Sequence, residues 1–380
     1  MKHQVLLFGQ RAVIDLRFTD GATPGELTIS GGANGTVFNR AGTLVSASAP
    51  RFDYSPTAVG QALGLLIEEE RTNFALRSAE FDNAAWNADA GATCSAANAA
   101  VSPDGQTTAD ELDIASGTYR SQATTGTATI GQPSTASAWM KSAASGSAAS
   151  MRLSTNNGAA WSTGGSTKTT LSLSWQRVSV TWTQGGTANV SLGVGSRAVD
   201  GSTDATCVGR VLAWGGQLEA GAFATSYIPT QAAAVTRTAD NITGSFSADA
   251  LTFVVEFDLN AVTGTRPILS LDDATADNQI RLYASGTDLK LTVTAGGVTQ
   301  ADLTLGTVAA NTTYKAAFSC RANEFRAVMS GGAEQSDAAG TMPVVTTLRI
   351  GSDMAGNYQN GHNARTRGWT RRLSNLLSLV

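Results

Sequence analysis

Side chains able to do covalent or acid–base chemistry are scarce in this chain. Its 380 residues include two histidines, His3 and His362, and three cysteines, Cys94, Cys207 and Cys320. A Ser-His-Asp triad, a histidine-rich metal centre or a histidine general base has almost no material to draw on. Three widely spaced cysteines match neither a disulfide framework nor a zinc pattern. They read as small buried hydrophobes, although Cys94 and Cys207 could meet in an oxidising medium if they fell on adjacent strands. Carboxylates are more plentiful. Glu68-Glu69-Glu70 invites comparison with the paired acids of glycoside hydrolysis. Neighbouring strand residues point to opposite faces, however, and the run reads as solvated. Asp272-Asp273 and Asp277-Asn278 read as turn residues. No catalytic residue is expected, and the chain reads as a non-enzyme.

Aromatic rings offer the more plausible chemistry, which is recognition of sugars. A flat ring accepts the C–H face of a sugar, while amides and carboxylates read its hydroxyls. Six of the seven tryptophans fall between Trp86 and Trp214. Trp139, Trp175, Trp182 and Trp214 sit in alternating segments and are expected in the core, where a tryptophan buries much apolar area. Trp161 differs. It follows Asn156-Asn157-Gly158 and precedes Ser162-Thr163-Gly164-Gly165, a stretch rich in hydrogen-bonding side chains. Trp161, Asn156 and Asn157 are therefore the candidate carbohydrate-binding residues.

The elements that must position these groups read as strands. The charged fraction is 15%, and 40 glycines accompany abundant Ser and Thr. That composition suits pleated sheets joined by glycine turns. A length of 380 residues predicts two or three domains. Residues 1–70 contain short extended pieces with too few apolar residues for a core of their own, and an extended arm or small β unit is expected. In residues 71–240, short strands alternate with turns such as Ser102-Pro103-Asp104-Gly105, the pattern of a β-sandwich. Trp175–Trp182 is the clearest strand. Residues 241–380 begin with the alternating Leu251–Leu259 and continue through at least six further strands. The expected fold is all-β: the N-terminal arm followed by two jelly-roll β-sandwich domains.

A net charge of −4 argues against nucleic acid as partner. Arg365, Arg367, Arg371 and Arg372 near the C-terminus read as a solvated or subunit-facing group. No apolar run reaches 18 residues, so no membrane-spanning helix is expected. The apolar run Val5–Phe8 is too short for a signal-peptide core, which places synthesis in the cytoplasm.

One segment carries a family resemblance. Pro50-Arg51-Phe52-Asp53-Tyr54-Ser55-Pro56, Leu63–Phe74 with its Glu-Glu-Glu-Arg-Thr-Asn centre, and Ser78–Trp86 resemble a stretch that recurs in structural proteins of tailed bacteriophages and prophages. There it leads into a jelly roll of the carbohydrate-binding-module type. The resemblance continues through the Trp139 strand, the Trp175–Trp182 strand, Trp214-Gly215-Gly216-Gln217-Leu218-Glu219-Ala220-Gly221 and Ser226-Tyr227-Ile228-Pro229-Thr230, and spans Pro50 to Asp240. Residues 241–380 are similar to concanavalin-like or laminin-G-like sandwiches, which often end in a short helix, here Ser374–Val380. The resemblance implies a virion surface protein of the tail-fibre or head-spike type. It implies anchoring to other virion proteins through residues 1–70, a homo-oligomer with a trimer favoured, and attachment to host-surface polysaccharide. Related jelly rolls hold a structural Ca²⁺ between their first and last strands; Glu80 and Glu219 are the residues placed to bind one, and no other cofactor is expected. The rival expectations are a structural decoration without ligand and a polysaccharide depolymerase.

Overall fold

Alternation of apolar and polar residues becomes alternation of burial wherever a sheet has one covered face. Along Gln176–Thr183, Val178, Val180 and Trp182 are buried, while Ser179, Thr181 and Thr183 are exposed. A computed structural model describes residues 12–21, 27–124, 130–143, 146–156, 164–186, 190–198 and 200–380. Among them there is no α-helix, and every strand pairing is antiparallel. The all-β expectation holds.

The strands form two compact units. The first comprises Met1–Gly31, Ala49–Glu69 and Asp240–Val380; the second comprises Gly32–Ser48 and Glu70–Ala239. Residues 1–70, expected as a separate arm, are thus divided between two sandwiches. The physical reason is the shortage of apolar residues that motivated the arm: short strands unable to bury a face on their own either join the sheets of larger partners or, as a two-stranded ribbon, pack within the same unit.

In the first unit, an eight-stranded sheet runs Gln335–Asp337, Glu324–Met329, Tyr314–Arg321, Ala250–Phe257, Gly361–Trp369, Ala62–Ile67 and Phe52–Tyr54. Ile14–Arg17 also pairs with Gly361–Trp369, alongside Ala62–Ile67. A seven-stranded sheet runs Leu27–Ser30, Asn241–Ser245, Thr347–Ile350, Thr265–Asp272, Gln279–Ser285, Asp288–Ala295 and Val298–Thr307. One core lies between them, with Phe253, Val255 and Phe318 from the first sheet meeting Leu271, Leu282 and Leu291 from the second. The last residues are bends and a turn instead of the expected short helix. Leu373 and Leu376 cover Val254, Ala317 and Val328 on the outer face.

Gly64 shows how tightly a strand from the N-terminal part is seated. Its φ is +122°, and a Cβ there would lie 2.4 Å from the Asn363 carbonyl oxygen and 2.7 Å from Ala364 Cα. Both atoms are backbone, so neither can rotate away. Gly64→Ala is expected to lower unfolding stability by about 2 kcal/mol. A urea melt within 0.5 kcal/mol of the parent (roughly the scatter of harmless surface changes) would contradict this.

The acidic run is also structural. Glu68 is 1% exposed, and its carboxylate lies 2.8 Å from Arg51 Nη2; the Arg51 Nε donates to Asp240 Oδ1 at 3.0 Å. The Glu68 and Asp240 backbones are joined too, since Asp240 N donates to Glu68 O at 3.0 Å and Glu68 N donates to Asp240 Oδ2 at 2.9 Å. Glu69 accepts from Arg266 at 3.2 Å and from Asn360 at 2.9 Å. Glu70 is exposed. A solvated run therefore describes Glu70 alone. The partners of Glu68 lie 17 residues before it and 172 residues after it in sequence, beyond the reach of local pattern. Among the C-terminal arginines, Arg365 makes a two-pronged pair with Asp15 at 2.9 and 2.8 Å, and Arg372 pairs with Glu324.

In the second unit, two five-stranded sheets enclose a core. One runs Gln176–Thr183, Pro133–Ser142, Gly209–Ala220, Thr107–Ile114 and Ala92–Val101; the other runs Ser166–Thr170, Ser150–Thr155, Val190–Gly195, Tyr119–Thr124 and Asn87–Ala88. Leu112, Met140, Val180 and Val211 meet Met151, Leu153, Leu192 and Val194 between them. Two small ribbons complete the unit, Gly35–Phe38 with Leu44–Ala47 and Arg71–Asn73 with Val235–Arg237.

Candidate functional site

A cavity of about 290 Å³ opens in the second unit. It is built from segments far apart in sequence. Its base is aromatic. Trp214 and Tyr227 line it, with ring centroids 4.8 Å apart, and Trp139 packs behind them at 5.4 Å from each. Trp214 and Tyr227 are each only 2% exposed, so they shape an apolar wall and are not free platforms for stacking. Trp214 Nε1 donates to Thr108 Oγ1 at 3.0 Å, and the Tyr227 hydroxyl shares a 2.6 Å hydrogen bond with Ser78 Oγ. Burial is the main reason that the Tyr227 phenol titrates above its usual range. The Ser78 bond opposes the shift, and the Asp104 and Glu80 carboxylates add to it.

Asn98 and Asp104 form one rim. The strands Ala92–Val101 and Thr107–Ile114 lose register between the Ala109 and Glu111 pairs. The extra residues bulge outward, and Asn98 takes φ +51°, a left-handed conformation that Asn tolerates well. Buried Asp110 holds the bulge, accepting from Asn98 N at 2.9 Å and from Asp82 N at 3.0 Å. Burial raises the Asp110 pKa, and those two hydrogen bonds oppose the rise. Asp104 belongs to the turn read from Ser102-Pro103-Asp104-Gly105. Its Oδ1 accepts from Ser102 Oγ at 2.5 Å and from Gln106 N at 3.0 Å, an arrangement typical of Asp in turns.

The opposite sides come from three other segments. Ala79 and Glu80 follow the left-handed Arg77; Glu80 accepts from Arg77 at 3.5 Å and from Asn83 at 3.1 Å. Leu44, Val45 and Ser46 come from the small hairpin, whose Leu44 N donates to Pro103 O at 2.9 Å and whose Thr36 hydroxyl donates to Tyr227 O at 2.7 Å. Pro229, Thr230 and Gln231 close the cavity. Their segment is clasped from within. Gln217 Oε1 accepts from Ile228 N at 2.7 Å, and Asn73 Nδ2 donates to Ile228 O at 2.8 Å. The chemistry on offer is a ring of hydrogen-bond acceptors, with hydroxyls and amides among them, over an apolar base. That is the usual composition of a small-molecule site.

The residues singled out from sequence fare differently. Trp161 and Asn157 lie outside the described residues. Asn156 is committed to its neighbour strand, accepting from Ser191 N at 2.9 Å and donating to Ser191 Oγ at 3.2 Å. Glu80 lines the cavity. Glu219 does not; it is buried, and it accepts from Thr225 N at 3.1 Å and from Thr225 Oγ1 at 2.5 Å, closing its own loop. The pair proposed for Ca²⁺ is thus engaged in two separate networks. Among the described residues, no group of three or more His, Cys, Asp and Glu side chains could hold a metal. Trp139, Trp182 and Trp214 are core, as expected, whereas Trp175 is half-buried beneath Lys141 Nζ, 4.7 Å from its ring centroid. Cys94, Cys207 and Cys320 are unbonded thiols. Sequence reading passed over Asn98 and Asp104. A Pro-Asp-Gly turn beside an Asn in a weakly patterned strand was the available signal, and it read as an ordinary turn.

The first unit holds the other concentration of titratable groups. His362 is 6% exposed, with Nδ1 3.0 Å from both carboxylate oxygens of Asp258 and Nε2 3.0 Å from Asp53 Oδ2. Burial works against the charged ring, but Asp258 and then Asp53 outweigh it and raise its pKa to about 10. Both ring nitrogens are occupied, so this histidine is a cross-link between strands and has no free nitrogen for a substrate.

No protein-family model and no curated protein matches the chain. Several solved structures are similar to part of it. The CBM40 module of a Ruminococcus gnavus IT-sialidase bound to α2,3-sialyllactose is 16% identical, over 35% of this chain and 82% of that one, with a TM-score of 0.30. The NanB sialidase from Streptococcus pneumoniae is 10% identical over 34% of this chain and 23% of that one, with a TM-score of 0.29. The binding domain of botulinum neurotoxin serotype G is 9% identical over 37% and 39%, with a TM-score of 0.30. The sheets described above carry the β-sandwich assignment.

Proposed function

We propose that this protein binds glycans through the cavity between Asn98, Asp104, Glu80 and the Leu44–Ser46 hairpin, and that it does so on a bacteriophage virion as a fibre or spike component. The observation carrying the binding reading is the cavity itself: acceptor side chains ring an apolar base, on a scaffold whose other carboxylates are largely taken up by internal contacts. The virion part rests on the likeness of Pro50–Asp240 to phage structural proteins, with attachment to host-surface polysaccharide as the role and a homo-oligomer, a trimer favoured, as the assembly. Several copies engaging one cell would multiply weak single-site affinity.

Ser46 gives a clean test. It is exposed, lies on a strand and lines the cavity. Ser46→Trp should fill the opening and weaken glycan binding at least tenfold on an immobilised glycan panel, with an unchanged melting temperature. Unaltered binding would remove the cavity from the reading. Immunogold labelling of virions tests the location, and a virion surface free of label would refute it.

Hydrolysis is the second reading, favoured by the presence of Glu80 and Asp104 in one cavity. Each already accepts hydrogen bonds from its own segment, which suits fixed acceptors that hold a ligand. Incubation with capsule or lipopolysaccharide decides between the two: new reducing ends would establish a depolymerase.

A further inference from the structure

We infer that the ligand is an extended sugar chain without acidic groups, neutral or carrying amines. This deepens the binding reading above and rests on it. A second cavity, of about 470 Å³, adjoins the first and shares Ser46 and Pro229 with it. The two cavities meet at Ser46, on the hairpin strand Leu44–Ala47, and at Pro229. The second cavity is lined by Asn34, Ser48, Val235 and other residues without charge. Among the described residues, Glu80 and Asp104 are the only charged ones lining either cavity, and both line the first. Among the described residues, no Lys or Arg lines either cavity. Arg77, beside Glu80, is shared between the Glu80 carboxylate at 3.5 Å and Gln231 Oε1 at 3.0 Å.

Two carboxylates over a buried aromatic base are acceptors only. They favour hydroxyl, N-acetyl N–H or ammonium donors. They repel a sugar carboxylate or sulfate at short range, where the effective dielectric is far below that of water. The uncharged second cavity extends the contact to further sugar residues without adding a charge requirement. An acidic polymer would have to enter against both carboxylates, with the neighbouring Arg77 already engaged by Glu80 and Gln231.

Isothermal titration of the full chain with matched probes tests this. The pairs are lactose against 3′-sialyllactose, chitotetraose against its de-N-acetylated form, and dextran oligomers against dextran sulfate. The uncharged or amine-bearing member should bind at least tenfold more tightly than any acidic counterpart, and high salt should narrow the gap by screening. Glu80→Gln combined with Asp104→Asn should reduce this discrimination against the acidic members. Both substitutions keep side-chain shape, and melting curves confirm the fold. Tighter binding of sialyllactose or dextran sulfate would overturn the inference while leaving the binding reading intact. Discrimination unchanged in the double variant would also overturn it, because the selectivity would then arise elsewhere. Failure to bind any member of a broad glycan panel would refute the binding reading, and the inference with it.

Discussion

Arg51→Met is expected to destabilise the first unit by about 3–5 kcal/mol, the range for removing one partner from a buried ion pair. The substitution keeps most of the side-chain volume but removes the guanidinium that Glu68 and Asp240, both buried, share. Glu68 and Asp240, acting first through their charges and then through hydrogen bonds, overcome the burial that opposes the guanidinium and hold it more firmly protonated than usual. The same carboxylates become a liability once it is gone. The Asp240 carboxylate also caps Glu68 N, so repulsion there disturbs the backbone link between two distant segments. Combining Arg51→Met with Glu68→Gln and Asp240→Asn should recover more than half of the loss, because amides lower the buried negative charge and keep hydrogen bonds. Urea unfolding of the three proteins measures this. A single variant within 1 kcal/mol of the parent (below the smallest cost expected for an orphaned buried charge) would show that the cluster is hydrated and not buried as described.

The second large effect is a pH dependence. His362 has a folded pKa of about 10, above its ordinary 6.5. A group whose pKa is raised on folding stabilises the folded state fully below its unfolded pKa, and that stability drains away as pH rises through the folded value. The window is therefore pH 6.5 to 10. The parent protein should melt progressively lower across it, relative to a His362→Gln variant that cannot titrate there. At pH 6 the variant should be less stable by several kcal/mol, because Asp53 and Asp258 lose their shared cation. Above pH 10 the difference should become small. If His362→Gln does not accumulate as folded protein, Asp258→Asn serves in its place. It removes the leading stabilising partner of the ring and should move the decline to lower pH. Parallel melting curves for parent and variant from pH 6 to 10 would refute the doubly clamped imidazolium.

Much of the fold was legible because strands with one covered face announce themselves. Gln176–Thr183 alternates in burial as read, Ala250–Phe257 and Gly209–Ala220 are strands where strands were read although both are buried almost throughout, and Ser102–Gly105 is the turn it was read as. The division into domains was not legible. Leu27–Ser30 and Ala62–Ile67 look like fragments of an arm because their pairing partners, Asn241–Ser245 and Gly361–Trp369, lie hundreds of residues away. Glu68 looked like a solvated acid for the same reason. The candidate site was only half legible. Glu80 was noted, but for a metal and with a partner, Glu219, that closes a different loop. Asn98 owes its role to a register shift and to the buried carboxylate of Asp110. Neither can be read from residues 92–101 alone.

The residue order by itself determined that this chain is a β protein with almost no histidine or thiol chemistry, because composition and two-residue alternation act locally and need no partner. Which strands share a sheet, which acids are paired and which surround a cavity were decided only in three dimensions. Those outcomes depend on long-range pairing, where burial turns an ordinary charge into either a cross-link or a recognition group according to what lies opposite.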